Sequence, residues 1–127
     1  MQIPNGLRYT ENHEWVRSEP DGTVTLGITD YAQDALGDVV FVDLPDVGRS
    51  VEAGEVFAEV ESTKSVNDVY APLSGTVATV NEPLVDEPAA VNTDPFGAGW
   101  FVTIEPEGDV ALEALMDADA YRAFTED

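Results

Sequence analysis

The apolar residues of this 127-residue chain come in short runs, each cut off by Pro, Gly or small polar residues before it reaches helix length. The clearest is Val56-Phe57-Ala58-Glu59-Val60-Glu61, where Val56, Ala58 and Val60 recur at a period of two and share one face of a strand. Ser62-Thr63-Lys64-Ser65 offers no core candidate and reads as a tight turn; Val66 to Tyr70 then resumes as a strand. The segment is a hairpin with Lys64 at its tip. Ala71-Pro72 and Ser74-Gly75 close it, and Thr76 to Val80 forms a further strand. Valine outnumbers leucine 17 to 8, a β-branched bias that favours strands over helices.

Upstream, Trp15 to Ser18 and Thr23 to Ile28 read as strands joined by the turn Glu19-Pro20-Asp21-Gly22. Thr29 can cap a short helix, Asp30 to Leu36, with Gly37 just past its end. Val39-Val40-Phe41-Val42 is apolar on both faces and reads as a buried central strand. Gly54-x-Val56 and Gly75-x-Val77 hint weakly at two similar halves. Residues 81–99 are polar and broken by Pro83, Pro88 and Pro95, so a long ordered loop with at most a short helix is expected. Trp100 to Ile104 reads as a strand, with Trp100 and Trp15 in the core. The tail, about 110–124, has helical spacing in Leu112, Leu115 and Met116, and Asp117 or Asp119 could restart a terminal helix. Nothing resembles an interdomain linker, so residues 1–127 are read as one domain.

Charge removes many functions. Asp and Glu number 26 against 5 Lys and Arg, a net of −21. Such a surface repels phosphate backbones and anionic lipid, so neither nucleic acid nor membrane is an expected partner. No run approaches the ~20 apolar residues of a membrane span, and the first ten residues lack a secretory pattern. Zero cysteines are consistent with a reducing cytoplasm, the expected location. With one histidine and no cysteine, no structural zinc site of the usual kind is expected and no metal ligands are assigned. Neither a Gly-x-Ser-x-Gly elbow nor a phosphate-binding loop ending in Lys-Ser or Lys-Thr is present. No catalytic residue is assigned.

Lys64 is the sole lysine. A turn lysine is ordinarily just a solvated charge, but this sequence is otherwise purged of lysine and keeps one where packing does not need it. Ser62, Thr63 and Ser65 leave its amine open, and strands on both sides hold it where a modifying enzyme can reach. Acylation of an amine removes its charge and leaves a long flexible arm.

At this point the residues resemble a known family. Glu61-Ser62-Thr63-Lys64-Ser65-Val66-Asn67-Asp68, followed by Ala71-Pro72-Leu73-Ser74-Gly75, is similar to the lipoyl-acceptor hairpin of the glycine cleavage system H proteins. So are His13-Glu14-Trp15, Gly27-Ile28-Thr29-Asp30-Tyr31-Ala32, Leu36-Gly37-Asp38-Val39-Val40-Phe41-Val42, and Val91-Asn92-Thr93-Asp94-Pro95-Phe96-Gly97 with Gly99-Trp100. These blocks run in family order from about residue 7 to 124.

The resemblance implies a mainly β, barrel-sandwich hybrid fold of the lipoyl/biotinyl hammerhead type, with short flanking helices, a C-terminal helical tail and an acceptor hairpin at about 56–80. It implies a monomeric carrier, not an enzyme, with lipoate attached covalently to Lys64. The arm takes the aminomethyl group of glycine from the pyridoxal-phosphate decarboxylase (P protein) to the tetrahydrofolate-dependent aminomethyltransferase (T protein). Dihydrolipoamide dehydrogenase (L protein) reoxidises it, and a lipoate-attaching enzyme is a further partner. In the family the loaded arm folds back against the body, and the matching positions are Asn12, Glu14 and Asp68; most of the 26 acids, by contrast, are ordinary solvated charges. His13 reads as a strand-edge or capping residue, since a carrier needs no general base. The flanks of Lys64 are not the Met-Lys-Met of biotin carriers. An H-like relay donating lipoyl groups to other enzymes, or an unmodified acidic interaction module, are the alternatives.

The acidity itself has two readings: a generic solvated surface, or adaptation to a high-salt cytoplasm, which the near-absence of lysine favours. The second makes a measurable demand. The screening length grows from ~3 Å at 1 M salt to ~10 Å at 0.1 M, so repulsion among the acids strengthens on dilution. The melting temperature should fall on dialysis from molar KCl into dilute buffer. A flat melting temperature argues for the generic surface.

Overall fold

The period-two runs become strands, and their valines are the interior. In the computed structural model, which describes residues 2–108 and 112–126, the order is β1 (Arg8–Tyr9), β2 (Glu14–Ser18), β3 (Val24–Ile28), α1 (Asp30–Leu36), β4 (Val39–Asp43), β5 (Ser50–Val51), β6 (Val56–Ser62), β7 (Val66–Tyr70) and β8 (Gly75–Val80). Then come α2 (Glu82–Asp86), α3 (Ala90–Thr93), β9 (Val102–Pro106), a 3-10 turn at Leu112–Ala114 and α4 (Ala118–Thr125). Two antiparallel sheets form, neither closed into a barrel: β1-β2-β3-β9-β8-β5, and β4-β6-β7. No helix among the described residues is long and apolar enough to cross a membrane.

One core joins the sheets: Val16, Leu26, Val77, Val102 and Ile104 from the larger, Val42, Val60 and Val69 from the smaller, with Leu84 of α2 and Val91 of α3 between them. A second cluster gathers Leu7, Tyr9, Trp15, Ala118 and Tyr121, and its Tyr9 and Tyr121 rings stack at 4.6 Å. This cluster fixes α4 to the β1–β2 end of the larger sheet.

Several elements differ from the sequence expectation. The 39–42 run is an edge strand, not a central one. It pairs only with β6, and although Val39 and Val42 are buried, Val40 and Phe41 are about half exposed. A bulge at Val56/Ala58 turns Phe57 inward as well, so the face read as Val56, Ala58, Val60 is buried at Phe57, Ala58 and Val60. Residues 81–99 hold two short helices, the first started by Pro83, whose fixed φ and missing N–H suit a helix's opening turn. The strand expected at 100–104 lies at Val102–Pro106, and Trp100 is half-buried at the edge of the second cluster.

Within the tail, residues 110 and 111 lie outside the described residues. The rest is not one helix: Met116 bridges to Tyr9 by two backbone hydrogen bonds, 2.8 and 3.0 Å, which interrupts the helical spacing. Asp117 then caps α4 by accepting the Ala120 N–H. The two Gly-x-Val segments are not equivalent. Gly54 has φ +87° in a turn, whereas Gly75 sits within β8, pressed against the Glu105 carbonyl.

Trp15 is fully buried and donates from Nε1 to the Pro95 carbonyl at 3.0 Å. Its indole lies across Gly27 of β3, where an added Cβ would stand 2.7 Å from Cε2, Cζ2 and Nε1. The ring cannot retreat without losing that hydrogen bond. Gly27→Ala should therefore destabilise by about 1–3 kcal/mol, the usual cost of overpacking, seen as a lower urea midpoint with the cooperative transition kept. An unchanged midpoint would show that the indole has room.

Candidate functional site

Lys64 stands at the tip of the β6–β7 hairpin, and its side chain is exposed. The turn is built around Ser62, whose side chain is buried. Its Oγ accepts the backbone N–H of both Lys64 and Ser65 at 3.1 Å, while its own N–H donates to the Ser65 carbonyl at 2.8 Å. The small hydroxyl beside the lysine thus closes the turn from inside, and Asn67 ties off Ser65 with a 2.9 Å bond to its Oγ. The Thr63 N–H donates to the Asp38 carbonyl at 3.1 Å, which docks the turn on the segment leaving α1.

The lysine stem lies over Gly37, where a Cβ would stand 2.9 Å from Cε. Glycine is demanded here by its φ of +81° and ψ of −158°, a region essentially closed to other residues, whereas the flexible lysine stem could move aside from an added Cβ. The ammonium therefore sits beside the C-terminal end of α1, which has no basic residue in its own last turn. Arg17, Arg49 and Arg122 each pair with a carboxylate, but none of the ion pairs among the described residues involves Lys64.

From this end a cleft of about 240 Å³ runs between α1 and β7. Leu36 and Ser65 line it nearest the lysine, and Ala32, Ala35, Val60 and Val69 make an apolar floor and wall. Asn12, His13, Glu14, Tyr31 and Asp68 line it too. Asp68 is three residues along β7 from Ser65, about 10 Å at the rise of a strand. Asn12, Glu14 and Asp68, separate in sequence, thus share one cleft that opens toward Lys64.

Glu14 is not a solvated acid. It is 2 % exposed, and its carboxylate accepts from Thr10 Oγ1 at 2.6 Å and from the Tyr70 N–H at 3.2 Å. Burial pushes its pKa up, and the two hydrogen bonds only partly oppose this. Asp68 is exposed. His13 carries more than an edge role: it adopts φ +67°, stacks on Tyr31 at 4.4 Å, and its Nδ1 lies 2.7 Å from the Tyr121 hydroxyl. Burial lowers its pKa, favouring the neutral ring. A consistent chain follows: Ala32 N–H donates to Thr29 Oγ1, Thr29 to the Tyr121 oxygen, and Tyr121 to His13 Nδ1. The α1 cap, α4 and one side of the cleft are joined through it.

Sequence reasoning missed the α1 wall. Tyr31, Ala32, Ala35 and Leu36 fall at i, i+1, i+4 and i+5, one helical face, yet α1 has no fully buried residue. That apolar face without full cover was the available signal.

Comparison with known proteins shows which family the chain resembles. The family model described as "Glycine cleavage H-protein" matches residues 7–127. The chain is similar to the glycine cleavage system H protein of Anaeromyxobacter sp. (strain K), 55 % identical over 127 residues, covering 100 % of this chain and 98 % of that protein. The H protein of Mycobacterium avium (strain 104) is 59 % identical over 124 residues, 94 % of each. A crystal structure of a glycine cleavage system H protein from Mycobacterium marinum superposes with a TM-score of 0.88 at 46 % identity, covering 98 % of this chain and 99 % of that one.

The buried Glu14 sets a test in pH. Because its folded pKa is raised above the ordinary 4.5, its stabilising contribution is complete below that value and is lost as pH rises through the folded pKa. Ionised Glu14 therefore costs stability at neutral pH. In Glu14→Gln the amide oxygen can accept from Tyr70 N–H and the amide nitrogen can donate to Thr10 Oγ1. The variant should melt no lower than wild type near pH 7, and its relative advantage should shrink as pH falls from the raised folded pKa toward 4.5 and be gone below that. Thermal melts of both across pH 3.5–8 check this (about one unit either side of ordinary carboxylate titration and upward). A constant offset between the two curves would mean that Glu14 is solvated.

Proposed function

The chain belongs to the glycine cleavage H-protein family, the lipoyl carriers of the glycine cleavage system, and we propose that Lys64 is the residue through which it carries. The observation that supports this most is the exposed amine, in no ion pair among the described residues, on a braced turn beside an apolar cleft. The residues present fit a lipoyl group. The amine can form an amide, and the adjoining cleft has an apolar floor for a flexible chain with carboxylates beyond it.

When attached, the lipoyl group supplies the pair of sulfurs that takes up and releases the aminomethyl cargo. The chain's own residues do the rest. Ser62 and Asp38 hold the attachment point still while leaving the side chain free. Ala32, Leu36 and Val60 give an apolar bed that excludes water from whatever lies in the cleft. Glu14 and Asp68 receive an alkylammonium there: a charge-assisted bond is strongest to Glu14, whose desolvation is already paid by the fold. Asn12 adds an amide that can donate or accept.

On this reading the protein is a carrier without catalytic residues, and it is handed between the P, T and L proteins after an attaching enzyme has acylated it. Tethering makes each later encounter one of high effective concentration. Its acidic surface favours basic docking faces on those partners.

Lys64→Arg keeps the charge and removes the acylatable amine. Mass spectrometry of wild type from its native host should find one added lipoyl group, on Lys64, and none on the variant. Glycine cleavage in a system reconstituted with P, T and L proteins should cease. Biotin or no adduct on Lys64, or turnover by Lys64→Arg at the wild-type rate, would sink the assignment.

A further inference from the structure

The segment on which the lysine turn rests is held by one side chain from a distant part of the sequence. Asn92 of α3 accepts the Val39 N–H on Oδ1 at 2.8 Å. Its Nδ2 donates to the Gly37 carbonyl and to Gln33 Oε1, both at 2.9 Å. Both amide donors and the acceptor are therefore engaged, which leaves the side chain one orientation. Gln33 is itself oriented, since its Nε2 donates to Asp30 Oδ1 at 2.6 Å.

These bonds grip the chain on each side of Asp38. The Asp38 carbonyl, left between them, is the acceptor of the Thr63 N–H at 3.1 Å. Gly37, gripped through its carbonyl, is the surface under the Lys64 stem. These two contacts of the lysine turn, and the pairing of Ser62 with Val39, thus fall on residues that Asn92 braces directly or flanks. The Gly37 N–H bond to the Gln33 carbonyl and the Val39–Ser62 pairing hold the ends of the ledge, and the Asn92 brace adds to them around Gly37, the most permissive residue type in an uncommon conformation. Core packing does not account for Asn92. Val91 is the buried residue of α3, whereas Asn92 is half-buried with its polar atoms directed to the ledge.

We propose that Asn92 is a positioning residue for the modification of Lys64, holding residues 37–39 so that the turn presents the amine in one place. It acts through Gly37 and Asp38 and is not a catalytic residue. The inference rests on Lys64 being the acceptor, and the test separates the two.

Asn92→Asp keeps the shape and the acceptor for Val39 N–H but replaces both donors with an oxygen facing two other oxygens. Amide hydrogen exchange at Thr63 is measured by NMR on the unmodified protein, and kcat and KM for acylation are measured with a lipoate ligase, lipoate and ATP. Thr63 exchange should quicken and kcat/KM fall, each about tenfold, the factor that one lost hydrogen bond of ordinary strength gives. Val51→Ala, a cavity variant in the core away from the ledge, should lower the melting temperature yet leave Thr63 exchange and acylation near wild type. Gln33→Ala removes only one of Asn92's three partners and should give a smaller change in the same direction even if Asn92→Asp does not fold. Wild-type Thr63 exchange and acylation in Asn92→Asp, or equal losses in Val51→Ala, would overturn the proposal. If wild type is not acylated at Lys64, that assignment fails, while Thr63 exchange still decides whether Asn92 braces the turn.

Discussion

The register of β6 against β7 is the constraint on which the rest depends. Glu59 faces Asp68 and Glu61 faces Val66, while Phe57, Ala58, Val60 and Val69 are buried. A slip of one residue would send Val60 to the solvent side and Glu59 or Glu61 into the core, so burial selects one pairing. That pairing puts Ser62 inside the turn, where it can accept two N–H groups, and leaves Lys64 outside it. It also sets Asn67 opposite Val60 on the cleft face of β7, and Asp68 borders the cleft from the Glu59 side. Lysine turn and cleft are consequences of one hydrophobic register, which is why they stay in fixed relation.

The electrostatics divide the acids into two populations with opposite duties. Asp43, Glu59 and Asp68 face one another across three adjacent strands, and like charges in that position repel. None of them has a cationic partner among the described ion pairs, so the surface depends on solvent and salt. Glu14 is the exception, buried and held by Thr10 and Tyr70. A buried acid with two donors and no cation costs the apo fold stability, and an arriving ammonium offsets that cost. The surface acids would gain far less from the same ammonium, because solvent screens each of them.

Sequence patterning carried α1 to its caps, Thr29 and Gly37, because both signals are local: a side-chain acceptor for Ala32 N–H and a φ,ψ pair that essentially only glycine tolerates. The β6–β7 hairpin was equally legible, since alternation and a core-free turn lie within a few residues of each other. The failures were non-local. Nothing within Val39–Val42 says that only one neighbouring strand is present, so two exposed side chains read as buried. The tail's helical spacing was real in pattern but lost to the Tyr9–Met116 bridge, a partner over a hundred residues away. For the proposed site, Lys64 stood out by its rarity, and Asn12, Glu14 and Asp68, which share one cleft, entered only through the family resemblance. The burial of Glu14 was hidden because one acid among 26 has no distinguishing mark.

The same division explains why the lysine turn and the cleft are joined through backbone. A side-chain latch between them would have to release whenever the arm moved. Instead the Asp38 carbonyl, fixed between two residues held by Asn92, binds the Thr63 N–H, and neither group changes when the lysine is acylated. What the proposed acylation of Lys64 would change is the charge over Gly37, at the C-terminal end of α1. An ammonium is favoured at that end of a helix, and a neutral amide is not. Unmodified Lys64 therefore has a reason to stay on the ledge, and the amide that replaces it has less. On the proposed assignment the arm would be freed by its own attachment while its anchor remains in place, the combination a carrier requires if it is to reach several partners.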